Sequence, residues 1–99
     1  MKITFRQSGG FMGLVRGCTV DTTTLAADER SRVEGLVTAS SLTASFTRQA
    51  EGGRDRWQYE ITIEYDAVHV HVVCDDACLP EPARPLVAYL VGCAKPVPL

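Results

Sequence analysis

Trp57, Tyr59, Ile61, Ile63 and Tyr65 alternate with Gln58, Glu60, Thr62 and Glu64, and this run constrains the fold more than any other stretch. Large apolar side chains at every second position line one face of an extended strand. Such a strand belongs to a sheet covered on one side and wet on the other. After Asp66-Ala67 the same period resumes, with Val68, Val70 and Val72 alternating with His69, His71 and Val73. A two-residue turn would set Ile63 opposite Val70, Ile61 opposite Val72 and Glu64 opposite His69. Apolar then meets apolar and acid meets imidazole, so pattern and turn agree on one register. Asp-Ala is not the dipeptide such turns prefer, and a longer loop fits the pattern too.

A second hairpin opens the chain. Ile3 and Phe5 alternate with Thr4 and Arg6, and Leu14, Arg16, Cys18 and Val20 share one face of the following strand. Asp21-Thr22-Thr23-Thr24 then offers a cap to a helix over Leu25 to Ala39, in which Val33, Leu36 and Val37 recur at helical spacing. Asp28 and Glu29 complement the positive end of its dipole. Gly35 inside it costs up to about 1 kcal/mol relative to alanine, which predicts close packing on the sheet. Ser40-Ser41 ends the helix, and Leu42, Ala44 and Phe46 alternate with Thr43, Ser45 and Thr47 as a third strand. Glu51-Gly52-Gly53-Arg54-Asp55 reads as a flexible polar loop. Cys74-Asp75-Asp76-Ala77-Cys78-Leu79 is another loop, and Pro80, Pro82 and Pro85 lead into a second helix with Leu86, Val87, Leu90 and Val91 as its buried stripe. Gly92 ends that helix, and Lys95 to Leu99 is a tail. The order β-β-α-β-β-β-α, with one apolar face per strand, predicts an α+β domain spanning residues 1–99. Its antiparallel sheet has about five strands, and both helices pack on one face.

Composition narrows the functional classes. A chain of 99 residues that is 45% hydrophobic can bury one core. Its net charge of −2 and lack of a basic run argue against nucleic acid. No apolar stretch reaches membrane length, and the N-terminus alternates like a strand where a signal peptide would carry an apolar core. Cytoplasmic residence is therefore the expectation, with no membrane partner. On that basis the four cysteines, Cys18, Cys74, Cys78 and Cys93, read as reduced thiols. A Cys74–Cys78 disulfide is sterically possible.

Few constellations carry chemistry. His69 and His71 share a strand face, and with Cys74 and Cys78 they suggest a zinc-binding domain. Cys-x₃-Cys is not the usual knuckle, however, and Cys74 should point to the opposite face. No nucleophile elbow, phosphate loop or metal-hydrolase helix motif occurs, so the chain reads as non-enzymatic, with no cofactor and no metal of its own. Asp75-Asp76 are either solvated charges near a helix start or hard oxygen ligands able to reach a divalent metal on another protein.

The remaining feature is Ser8-Gly9-Gly10-Phe11-Met12-Gly13-Leu14, which joins the first two strands. Its glycines allow the positive φ of an irregular turn, and between them stand two large apolar side chains. Phe11 and Met12 either fold back to cap the core or serve as anchors for a partner's apolar pocket.

The opening Lys2-Ile3-Thr4-Phe5-Arg6-Gln7-Ser8-Gly9-Gly10-Phe11-Met12-Gly13, the Val20-Asp21-Thr22 before a Leu25-led helix, the strand Tyr59-Glu60-Ile61-Thr62-Ile63-Glu64 and the run Asp75-Asp76 to Pro82 and Pro85-Leu86-Val87 resemble the emfourin family. These are small bacterial protein inhibitors of thermolysin-like, or protealysin-like, metalloproteases. The resemblance covers nearly the whole chain, and Ser-Gly-Gly-Phe-x-Gly is its most specific part. It implies inhibition through two neighbouring loops, one laying apolar side chains into the substrate sites and one supplying an aspartate to the catalytic zinc. Carried onto this sequence, the protease-binding residues are Gly9, Gly10, Phe11, Met12, Gly13 and Leu14, and the zinc-ligand candidates are Asp75 and Asp76, with Asp21 in reserve. The alternative is a small binding module that uses Phe11-Met12 on an unrelated partner.

Overall fold

The computed structural model describes residues 1–9, 14–49 and 56–96. Gly10, Phe11, Met12 and Gly13, the Glu51 to Asp55 loop and the tail residues Val97 to Leu99 lie outside the described residues. Two hairpins form the centre. β1 (Lys2–Gly9) pairs antiparallel with β2 (Leu14–Asp21), and β4 (Trp57–Tyr65) with β5 (Val68–Asp75). The hairpins join along β1 and β4, where Ile3 faces Ile63, Phe5 faces Ile61 and Gln7 faces Tyr59.

The β4–β5 register is the one the alternation requires: Ile63 opposite Val70, Ile61 opposite Val72, Glu64 opposite His69. Tyr65 pairs with Val68 across a two-residue turn, in which Asp66 takes a left-handed φ of 50°. The closest acid–imidazole contact is nevertheless diagonal, with His71 Nε2 2.8 Å from Glu60 Oε2. Diagonal neighbours on a twisted sheet are within reach of such long side chains.

α1 (Ala27–Ser40) and α2 (Arg84–Cys93) supply the second layer. Ile3, Phe5, Ile61, Ile63 and Val72 meet Val33, Leu86 and Leu90 in a core where each is 1% exposed or less. Each such side chain contributes about 1.5–3 kcal/mol by leaving water. α1 begins two residues later than the sequence suggests, because Asp21 caps a separate 3₁₀ turn over Thr22–Thr24. Its Oδ1 accepts from Thr23 N at 3.0 Å and from Thr23 Oγ1 at 2.6 Å. Gly35 is exposed, with nothing within 4 Å of where a Cβ would stand, so the expected close packing does not occur there. The two helices are tied by Tyr89, whose hydroxyl donates to Glu29 Oε1 at 2.6 Å.

Two further expectations are corrected. Among the described residues the sheet has six strands, in the order β3-β5-β4-β1-β2-β6, and is mixed. β3 (Phe46–Arg48) is short and runs parallel to β5, with Phe46 opposite Val72. The tight β4–β5 hairpin occupies the edge of β4, so β3 pairs on the far side of β5, where its direction is parallel. Leu42 is buried below the strand and Ala44 is exposed. The alternation over Leu42 to Thr47 is therefore mostly a connection, and Ser45 Oγ accepts His71 N at 2.8 Å just before the ladder begins. After α2, Lys95–Pro96 form β6 beside Arg16 and Gly17 of β2, where the sequence suggests only tail.

Candidate functional site

Gly9 and Leu14 are ladder partners, so the loop between them leaves and re-enters the sheet at one end. Gly9 also partners Trp57 at the start of β4. The Trp57 carbonyl in turn accepts the Asp76 N–H at 3.0 Å, and Gln58 partners Asp75 at the end of β5. The stem of the apolar loop and the aspartate loop therefore share one end of the sheet. With β4 between β1 and β5, the two stand two strand spacings apart, about 10 Å. Asp21 pairs with Lys2 at the opposite end, about 24 Å along β2 from Leu14.

A local constraint fixes this end. Gly9 has φ +96°, and a Cβ built there would lie 2.7 Å from the Arg56 carbonyl oxygen. Both the dihedral and the close approach of two backbones demand glycine.

The two aspartates have different surroundings. Asp75 is 0% exposed. Its Oδ1 accepts the Cys78 N–H at 2.8 Å, closing the turn, and its Oδ2 stands 3.8 Å from Arg56 Nη1. A buried carboxylate needs such partners to offset its lost hydration. The Asp76 side chain is 54% exposed. Tyr59 Oη donates to its Oδ1 at 3.4 Å, and Arg84 Nη1 lies 3.5 Å from the same oxygen. Arg84 Nη2 also donates to the Asp76 carbonyl at 3.2 Å. Burial, and next the Asp76 charge and hydrogen bond, push the Tyr59 phenol above its ordinary pKa. A hydrogen bond from Gln7, the polar residue on the inward face of β1, acts in the opposite direction, and Gln7 Oε1 has no hydrogen-bond partner among the described residues.

Beside these residues an open groove of about 410 Å³ runs between α2 and the start of β4, walled by Trp57, Leu79, Val87 and Val91, with Asp76 and Arg84 on its rim. Neither Tyr59 nor Arg84 stands out in the sequence as a site residue. Extending the β4–β5 register to Tyr59 opposite Cys74 was the available signal for the first. For Arg84 the sequence holds none beyond a cation at a helix start.

The histidines do not assemble with the cysteines. His69 and His71 are exposed on the open face of the sheet, while Cys74 points into the core. Among the described residues no three His, Cys, Asp or Glu side chains cluster to hold a metal ion. All four cysteines are thiols in the structure. Burial, reinforced by Asp75, pushes the Cys74 thiol up to about 11.

Among the described residues no helix is long and apolar enough to cross a membrane. Comparison with curated proteins and with solved structures gives no match. The emfourin family model, in contrast, matches residues 5–91, a span that takes in the Gly-rich loop, the aspartate pair and most of α2. The chain belongs to the emfourin family.

Proposed function

We propose that this protein inhibits thermolysin-like zinc metalloproteases by inserting the apolar Gly-rich loop and one aspartate into the active site. Family membership supports an inhibitor of metalloproteases. The observation that carries the mechanism is the shared sheet end: the Gly9 and Leu14 stems and Asp76 are linked through Trp57, at a separation that one active-site cleft can span.

Asp76 is the better zinc ligand. Its carboxylate is half exposed, whereas Asp75 is buried and engaged with Cys78 and Arg56. A catalytic zinc keeps an open position for water, and an incoming carboxylate can take that position. Phe11 and Met12 then fill apolar subsites and supply much of the affinity. The chain donates no reacting group of its own, so the complex is a blocked enzyme.

The test is a titration of thermolysin, and of a protealysin-like enzyme, on a short peptide substrate, followed long enough to detect slow onset. Stoichiometric loss of activity with the inhibitor recovered intact is the expected result. Phe11→Ala with Met12→Ala should weaken inhibition at least 100-fold, about the effect of losing two anchor side chains. Asp76→Ala should weaken it strongly, and the fold of both variants should be unchanged. Absence of inhibition, or binding indifferent to the protease zinc, would favour the unrelated-partner module.

A further inference from the structure

We propose that Tyr59 and Arg84 are positioning residues that hold Asp76 so that a single carboxylate oxygen, Oδ2, is presented to the protease zinc. The inference rests on the inhibitor reading above and assigns the groups that make it work. Asp76 is restrained at three points. Its N–H is bound to the Trp57 carbonyl at 3.0 Å, its carbonyl to Arg84 Nη2 at 3.2 Å, and its Oδ1 to both Tyr59 Oη at 3.4 Å and Arg84 Nη1 at 3.5 Å. Oδ2 has no partner among the described residues.

The two clamps are themselves fixed. Tyr59 is 7% exposed, and its ring stacks on Phe5 with centroids 6.1 Å apart. Arg84 is the first residue of α2, and its Nε donates to Glu81 Oε1 at 3.0 Å. A rigid core tyrosine and a tethered guanidinium thus approach one oxygen of an otherwise exposed aspartate. Carboxylates that bind metals are commonly hydrogen bonded through their other oxygen in this manner, which sets their orientation. An aspartate already ordered in the free inhibitor loses less rotamer freedom on binding. The geometry predicts one-oxygen ligation, with Oδ1 retained by the inhibitor's own residues.

The experiment compares Tyr59→Phe, Arg84→Gln and Arg84→Lys with the parent chain, in inhibition of zinc-loaded thermolysin and in binding to thermolysin stripped of zinc with its calcium retained. Both contacts are long for hydrogen bonds, so Tyr59→Phe and Arg84→Gln should each weaken inhibition of the zinc enzyme by about 3- to 10-fold. Arg84→Lys should recover part of the loss. Binding to the zinc-free protease should stay within about twofold, and both changes should be silent in an Asp76→Ala background, as partners of one group are.

Equal weakening toward zinc-loaded and zinc-free protease would mean general loosening of the loop and would overturn the proposal. If Asp76→Ala impairs inhibition while Tyr59→Phe and Arg84→Gln do not, the positioning role fails and the zinc-ligand reading stands. If Asp76→Ala is silent, or the parent chain does not inhibit, both fail together.

Discussion

Replacing Gly9 by alanine puts the most demanding point of the structure under test. The residue sits at φ +96°, and the new Cβ would meet the Arg56 carbonyl oxygen at 2.7 Å, closer than real Cβ contacts allow. The dihedral alone costs a residue with a side chain about 1–2 kcal/mol. The neighbour is backbone and cannot rotate away, so the ends of β1 and β4 must separate, at a further cost of about 1–3 kcal/mol. A total near 3 kcal/mol corresponds to a fall in Tm of about 12–24 °C for a domain of this size. Urea unfolding followed by far-UV circular dichroism, extrapolated linearly, measures it. Because Trp57 adjoins Arg56 and binds Asp76, the folded fraction of this variant should also inhibit less well. The control is Gly35→Ala, at an exposed helical site with nothing within 4 Å, which should stabilise by about 0.5–1 kcal/mol. A Gly9→Ala loss below about 0.5 kcal/mol would refute the steric argument, since strain of this kind is normally worth more.

Tyr89→Phe removes the hydroxyl that binds Glu29 across the two helices and should cost about 1 kcal/mol. A double-mutant cycle with Glu29→Ala, which removes the acceptor, should return most of that as coupling, and zero coupling would mean the contact is inert. For Cys74 the folded thiol titrates at about 11 against an ordinary 9.0, so the unfolded chain releases this proton first. The resulting stabilisation is complete below pH 9 and is lost as pH rises from 9 to 11. Unfolding free energies measured across that window should fall more for the parent chain than for Cys74→Ala, and parallel curves would count against it.

The parts of the fold legible in the sequence were those with a short, strict period. β4 and β5 carry it on both sides of a two-residue turn, and one slip would turn Ile61, Ile63, Val70 and Val72 into solvent. The same period misleads at Leu42 to Thr47, where Leu42 is buried by the end of α1 and only Phe46 enters the ladder. Parallel pairing of β3 with β5 leaves no local mark, because it depends on which strand reaches the edge of β4 first. Nor can adjacent aspartates be told apart by pattern. Alternation from Val72 and Cys74 sets Asp75 on the outward parity, yet the turn closing at Cys78 covers it and leaves Asp76 outside. Gly35 reads as a packing contact only if α1 lies flat on the sheet. Instead α1 packs alongside α2 and the Glu81–Ala83 turn, and its glycine faces water.

The seam between β1 and β4 has a consequence for how the protein comes into being. Each hairpin closes locally, and such contacts form early because little chain entropy opposes them. The seam joins Phe5 to Ile61 and Gly9 to Trp57, contacts far apart in sequence that condense late. Gly9 and Leu14 belong to one hairpin and Asp76 follows the end of the other, so these residues come to one end of the sheet only when this last pairing is made. On the inhibitor reading proposed above, a nascent chain with its first hairpin complete would not yet inhibit. The activity proposed here would then switch on in one step, with the final closure of the sheet.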